Sequence, residues 1–116
     1  MRIYFKEGVI FNGASSFLFE GLGRVAPAFA QYGQCTVTSI LDGAHKSGSL
    51  HYLGRAADLR SHHIPRQRID EFTRLLRNIL GPDWDILLEK FNQEQEHFHV
   101  EFDPKGPRRV LVTEET

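Results

Sequence analysis

One cysteine, one tryptophan and one methionine occur in the 116 residues, and that scarcity excludes several classes of protein. Cys35 cannot form an internal disulfide, so no disulfide framework staples the chain. Its surroundings, Cys35-Thr36-Val37-Thr38-Ser39-Ile40, are β-prone and apolar, which marks a buried strand thiol rather than a nucleophile or ligand. No apolar run approaches the roughly 20 residues a membrane helix needs. An excess of either charge is also missing. At a formal net charge of −1 there is no electrostatic case for nucleic acid or an anionic membrane as partner, and the basic residues between Lys105 and Arg109 are too few to make one. The start, Met1-Arg2-Ile3-Tyr4-Phe5-Lys6-Glu7, has neither an uninterrupted apolar segment nor a small-residue cleavage site, so the product is expected in the cytoplasm where it is made.

What is present describes one monomeric globular domain over residues 1–116. Residues 2–5 read as a first strand. From Ser16 the apolar residues Leu18, Leu22, Val25 and Phe29 recur at helical spacing, while Gly21, Gly23 and Pro27 weaken that helix and predict a bend or break near Pro27. Residues 35–40 are the next strand, residues 42–53 a polar loop, and residues 55–60 a short strand. Pro65 opens the clearest helix, with Ile69, Phe72, Leu75, Leu76 and Ile79 on one face and Gly81-Pro82 as its stop. Residues 85–91 and 97–102 predict a hairpin joined by the polar turn at 92–96, and Val110-Leu111-Val112 an added edge strand. The fold class that fits is α+β: a small antiparallel sheet with two to three helices packed on one face and a zinc site on the other.

Six histidines invite a search for ligand spacing. His51 and Asp58 lie seven positions apart, and about forty residues later comes Glu96-His97-Phe98-His99. Together they supply three ligands and one base for a hydrolytic zinc centre. Residues two apart on a strand share a face, so His97, His99 and Glu101 line one side while Phe98, Val100 and Phe102 belong to the core. The spacing alone leaves Glu96 and Glu101 open as the working acid, with Glu89 a third candidate. His45, His62 and His63 match no ligand pattern.

The pattern Ser-x-His-x-x-Gly-x-Ala-x-Asp, carried by Ser49, His51, Gly54, Ala56 and Asp58, together with Glu-x-x-His at Glu96 and His99, resembles the zinc D-alanyl-D-alanine carboxypeptidase family. That family includes D-Ala-D-Ala dipeptidases, the L-alanyl-D-glutamate endopeptidases of phage lysins and the metal-binding domain of hedgehog signalling proteins. The likeness covers roughly residues 33–103. It implies His51, Asp58 and His99 as ligands of one zinc ion and Glu96 as general base. It also implies His97 as the extra histidine of a His-x-His arrangement, stabilising the oxyanion or orienting substrate, and Ser49 as a loop or substrate contact.

One departure concerns the substrate. Where members of the family carry an arginine just after a Thr-Ser, this chain has Thr38-Ser39-Ile40-Leu41-Asp42. Lys46 and Arg55 are the nearby cations that stand in as candidate substrate anchors. The resemblance implies a peptidase acting on the peptides of bacterial peptidoglycan, as a carboxypeptidase or endopeptidase, in the setting of a phage or prophage lysin released through a membrane pore. The alternative is a zinc-stabilised binding or structural domain without hydrolytic activity.

Overall fold

Ser15 starts the first helix by accepting a hydrogen bond from Phe17 N at 3.1 Å, which satisfies a backbone donor that the first turn cannot pair. The computed structural model describes residues 2–42, 50, 51 and 53–104. Expectations for His45, Lys46, Ser49 and the strand at 110–112 fall outside those residues. The elements are β1 (Ile3–Phe5), α1 (Ser16–Ala30), β2 (Cys35–Ser39), β3 (Ala56–Arg60), α2 (Ile69–Leu80), β4 (Trp84–Glu89) and β5 (His97–Phe102). No helix among the described residues is long and apolar enough to cross a membrane.

The helical stripe is fully buried at Leu18, Leu22, Val25 and Phe29. The expected break at Pro27 does not occur, since α1 runs through it to Ala30. Proline forfeits one hydrogen bond to the residue four positions back, and burial of Ala26, Ala28 and Phe29 around it holds the turn. Gly21 has a packing reason: a Cβ there would run into the Trp84 ring, so the glycine lets α1 approach β4 closely. The second helix also starts later than Pro65 suggests. Arg66–Arg68 forms a single 3₁₀ turn, and α2 begins at Ile69. Its buried face holds Ile69, Phe72, Thr73, Leu76 and Leu80, whereas Leu75 is exposed. Gly81, at φ 86°, ends it.

The five strands form one sheet in the order β1-β2-β3-β5-β4. It is mixed rather than wholly antiparallel: β1 and β2 pair in parallel, and the other neighbours are antiparallel. The cause is α1, which carries the chain back between β1 and β2, the only kind of route that joins parallel neighbours. Both helices pack against the sheet, over Ala57, Leu59, Ile86, Phe98 and Val100. Strand alternation then leaves Asp58, Glu89, His97, His99 and Glu101 on the opposite face. Cys35 lies in the core, where burial raises its thiol to about 12 and keeps it inert.

Candidate metal centre

Three elements deliver the site. His51 sits in a tight turn in which Gly54 N donates to the carbonyl of His51 at 2.9 Å and Arg55 N to that of Leu50 at 2.9 Å. Gly54 makes the turn possible twice over. Its φ is +70°, and a Cβ would lie 2.7 Å from the Gly13 carbonyl oxygen and 2.8 Å from Ala14 Cα. Asp58 stands in the middle of β3, directly across from His99 on β5. Beside it β2 bulges, so that Val37 opposes Leu59 but Ser39 opposes Asp58. Thr38 is the extra residue, and its hydroxyl donates to the Asp58 carbonyl at 3.2 Å.

The three side chains converge. His51 Nε2 lies 3.0 Å from Asp58 Oδ1 and 3.3 Å from His99 Nδ1, and His99 Nδ1 lies 3.4 Å from the same Asp58 oxygen. These donors form a group that could hold a metal ion. Each imidazole is oriented by its other nitrogen. His51 Nδ1 donates to the carbonyl of Ile40 at 2.7 Å, and His99 Nε2 donates to Glu101 Oε1 at 2.6 Å. Those bonds turn Nε2 of His51 and Nδ1 of His99 toward Asp58, the kind of second contact by which proteins orient histidines for a metal.

Burial works against charge here, but neighbours outweigh it. Asp58 is held well below the usual carboxylate range, because hydrogen bonds from His51 and His99 exceed the effect of burial. His99 moves the other way, to about 9, as burial is overcome by its bonds to Asp58 and Glu101. A cation at this point would therefore replace protons that the cluster already attracts.

His97 borders the group without joining it. Its Nε2 is 3.6 Å from Asp58 Oδ1 and 2.9 Å from Glu89 Oε1, while Nδ1 donates to the Gln95 carbonyl at 2.7 Å. Glu89 faces it directly across the β4–β5 hairpin. His51, Asp58, His97, His99, Glu89 and Glu101 line a common cleft of about 1340 Å³.

Glu96, expected to work as general base, is not brought to this group. Its carboxylate is fully buried and accepts hydrogen bonds from the Ser61 hydroxyl at 2.5 Å, from Arg66 at 2.6 Å and from Asn92 N at 2.9 Å. It does not line the cleft. The physical reason is the hairpin turn: Lys90 and Asn92 take positive φ, and a buried carboxylate tied to Arg66 anchors that turn. Arg66 and Ser61 were invisible as partners from the sequence, since they lie 30 and 35 residues from Glu96.

Arg55 is also spent elsewhere. Its Nε donates to the Phe102 carbonyl at 3.1 Å, its guanidinium sits over the Phe102 ring, and Asp103 is 3.8 Å away. It does not line the cleft, where Arg77 and Lys90 are among the described lining residues. Ser49 lies outside the described residues. His62 and His63 bond the carbonyls of Gln93 and Gln34, each at 3.0 Å, apart from the group. No protein-family model matches the chain, and no curated protein matches it significantly.

Proposed function

We propose that the chain is a zinc-dependent hydrolase that cuts peptide bonds in bacterial cell-wall peptides. The observation that carries the proposal is the spacing of the three donor atoms. Ligands about 2.0–2.1 Å from a zinc ion at tetrahedral angles stand about 3.3–3.4 Å apart, and the separations here are 3.0, 3.3 and 3.4 Å. Two imidazole nitrogens and one carboxylate oxygen make a donor set suited to zinc. Among the described residues the group offers three protein ligands, the number typical of a catalytic site. When bound, zinc supplies Lewis acidity that polarises a carbonyl and makes water nucleophilic near neutral pH.

The chain's own contribution is orientation. Ile40 and Glu101 hold the two histidine rings, the β2 bulge supports Asp58, and the cleft gives an extended substrate access to the centre. The peptide bond and the cell-wall source rest on the likeness of the Ser49–Asp58 and Glu96–His99 motifs to the zinc D-alanyl-D-alanine carboxypeptidases. A phage-lysin setting rests on the same likeness.

One observation favours a second reading, a metal-stabilised binding domain without hydrolysis: the family's base position, Glu96, is locked in a buried ion pair. Incubating the zinc-loaded protein with purified peptidoglycan separates the two. Release of soluble peptides that stops on chelation and returns with zinc supports the hydrolase. No release under any of these conditions sinks it and leaves the binding domain. The masses of the released products identify the bond cut.

A further inference from the structure

With Glu96 withdrawn, a hydrolytic cleft still requires a group to carry the proton between water and the leaving amine. Four carboxylates besides the ligand Asp58 line this cleft: Asp85, Glu89, Glu101 and Asp103. Glu101 is engaged in orienting His99 at 2.6 Å. Asp103 lies beside Arg55, and Asp85 pairs across the hairpin with Glu101, so both sit toward the end of the cleft away from His97. Glu89 differs from all of these. It faces His97 in the hairpin register, its Oε1 is 2.9 Å from His97 Nε2, and that nitrogen is 3.6 Å from the Asp58 ligand oxygen. Glu89 thus stands one imidazole away from the metal-binding atoms.

We infer that Glu89 is the proton-carrying carboxylate of this cleft and that His97 is the positioning residue that holds it. The inference rests on the hydrolase reading above. The His97 ring is held between two oxygens, with Nδ1 2.7 Å from the Gln95 carbonyl behind it and Nε2 2.9 Å from one Glu89 oxygen in front. The other oxygen of Glu89 has no partner among the described residues. In the reaction, the oxygen of water bonds to the peptide carbonyl carbon as Glu89 accepts the proton that water loses. Glu89 then returns that proton to the amine nitrogen as the carbon–nitrogen bond breaks, so it ends the cycle unchanged.

The test is a double-mutant cycle on zinc-loaded protein acting on purified peptidoglycan, with zinc content and circular dichroism measured for every variant. Glu89→Ala is expected to lower kcat by about 100-fold or more, with KM, bound zinc and secondary structure unchanged. His97→Ala is expected to lower kcat about 10- to 100-fold, and the double variant to be no slower than Glu89→Ala, because the two act as one unit. The His97 ring ¹⁵N resonances, read at one fixed pH, are expected to shift in Glu89→Ala. An active wild type with a fully active Glu89→Ala variant overturns the inference and leaves the hydrolase reading standing. A wild type that cleaves nothing overturns both. Unchanged His97 resonances, or fully additive losses, overturn the positioning role.

Discussion

Arg66 and Glu96 form an ion pair of 2.6 Å in which the carboxylate is completely buried and the guanidinium side chain remains 39% exposed. Arg66 also donates to the carbonyls of Ser61 and Ile64, each at 3.0 Å, so one side chain ties the end of β3, the approach to α2 and the hairpin turn together. Removing the charge of Glu96 leaves these donors facing a weaker acceptor. Glu96→Gln is expected to destabilise the fold by about 1–3 kcal/mol, the cost of breaking a buried pair discounted for the exposure of Arg66. Urea unfolding measures it, and a variant as stable as the parent would show that the pair is ornamental.

The same pair sets an acid limit. Burial raises the Glu96 carboxyl, but Arg66, Asn92 N and Ser61 together pull it from its ordinary 4.5 to about 2. A carboxylate depressed on folding stabilises the native state above its unfolded pKa, and that contribution disappears as pH falls through the folded value. Thermal melts of the wild type should therefore lose midpoint between about pH 4.5 and 2. Glu96→Gln should show a shallower loss over that window, and parallel curves for the two proteins would exclude Glu96 as the cause.

Two glycines in α1 make a matched pair. Gly23 is exposed, and a Cβ there meets nothing, so Gly23→Ala should stabilise by about 0.5–1 kcal/mol through helix propensity. Gly21→Ala should destabilise, since its methyl would displace Trp84. Equal effects at the two positions would mean that α1 does not approach β4 as closely as described.

Much of the centre was legible because it is local. Alternation along residues 97–102 put His97, His99 and Glu101 on one face, and the aromatic side of that strand is indeed the core. Long-range register was not legible. Nothing in the sequence says that Asp58 faces His99 or that Glu89 faces His97, because pairing depends on hairpin length and on the β2 bulge. Glu96 shows the same limit: its position three residues before His99 is local, but the Arg66 contact that withdraws it is not. The parallel pairing of β1 escaped for a related reason, since strand direction is decided by the α1 crossover rather than by the three residues of β1.

Glu101 offers a test of how the ligands are held. Its bond to His99 Nε2 fixes the ring that presents Nδ1 to the group. Glu101→Ala should weaken zinc binding about 10- to 100-fold in a chelator competition, while leaving one ion per chain at saturation. Unaltered affinity would assign Glu101 to the surface instead.

Metal analysis of the purified, zinc-equilibrated protein shows whether His51, Asp58 and His99 hold an ion. About one zinc ion per chain is expected in the wild type, with circular dichroism confirming that each variant is folded. His51→Ala, Asp58→Asn and His99→Ala should each lose that ion, and His62→Ala should keep it. Undiminished zinc in the three ligand variants, or none in the wild type, would mean that these residues do not form a zinc site.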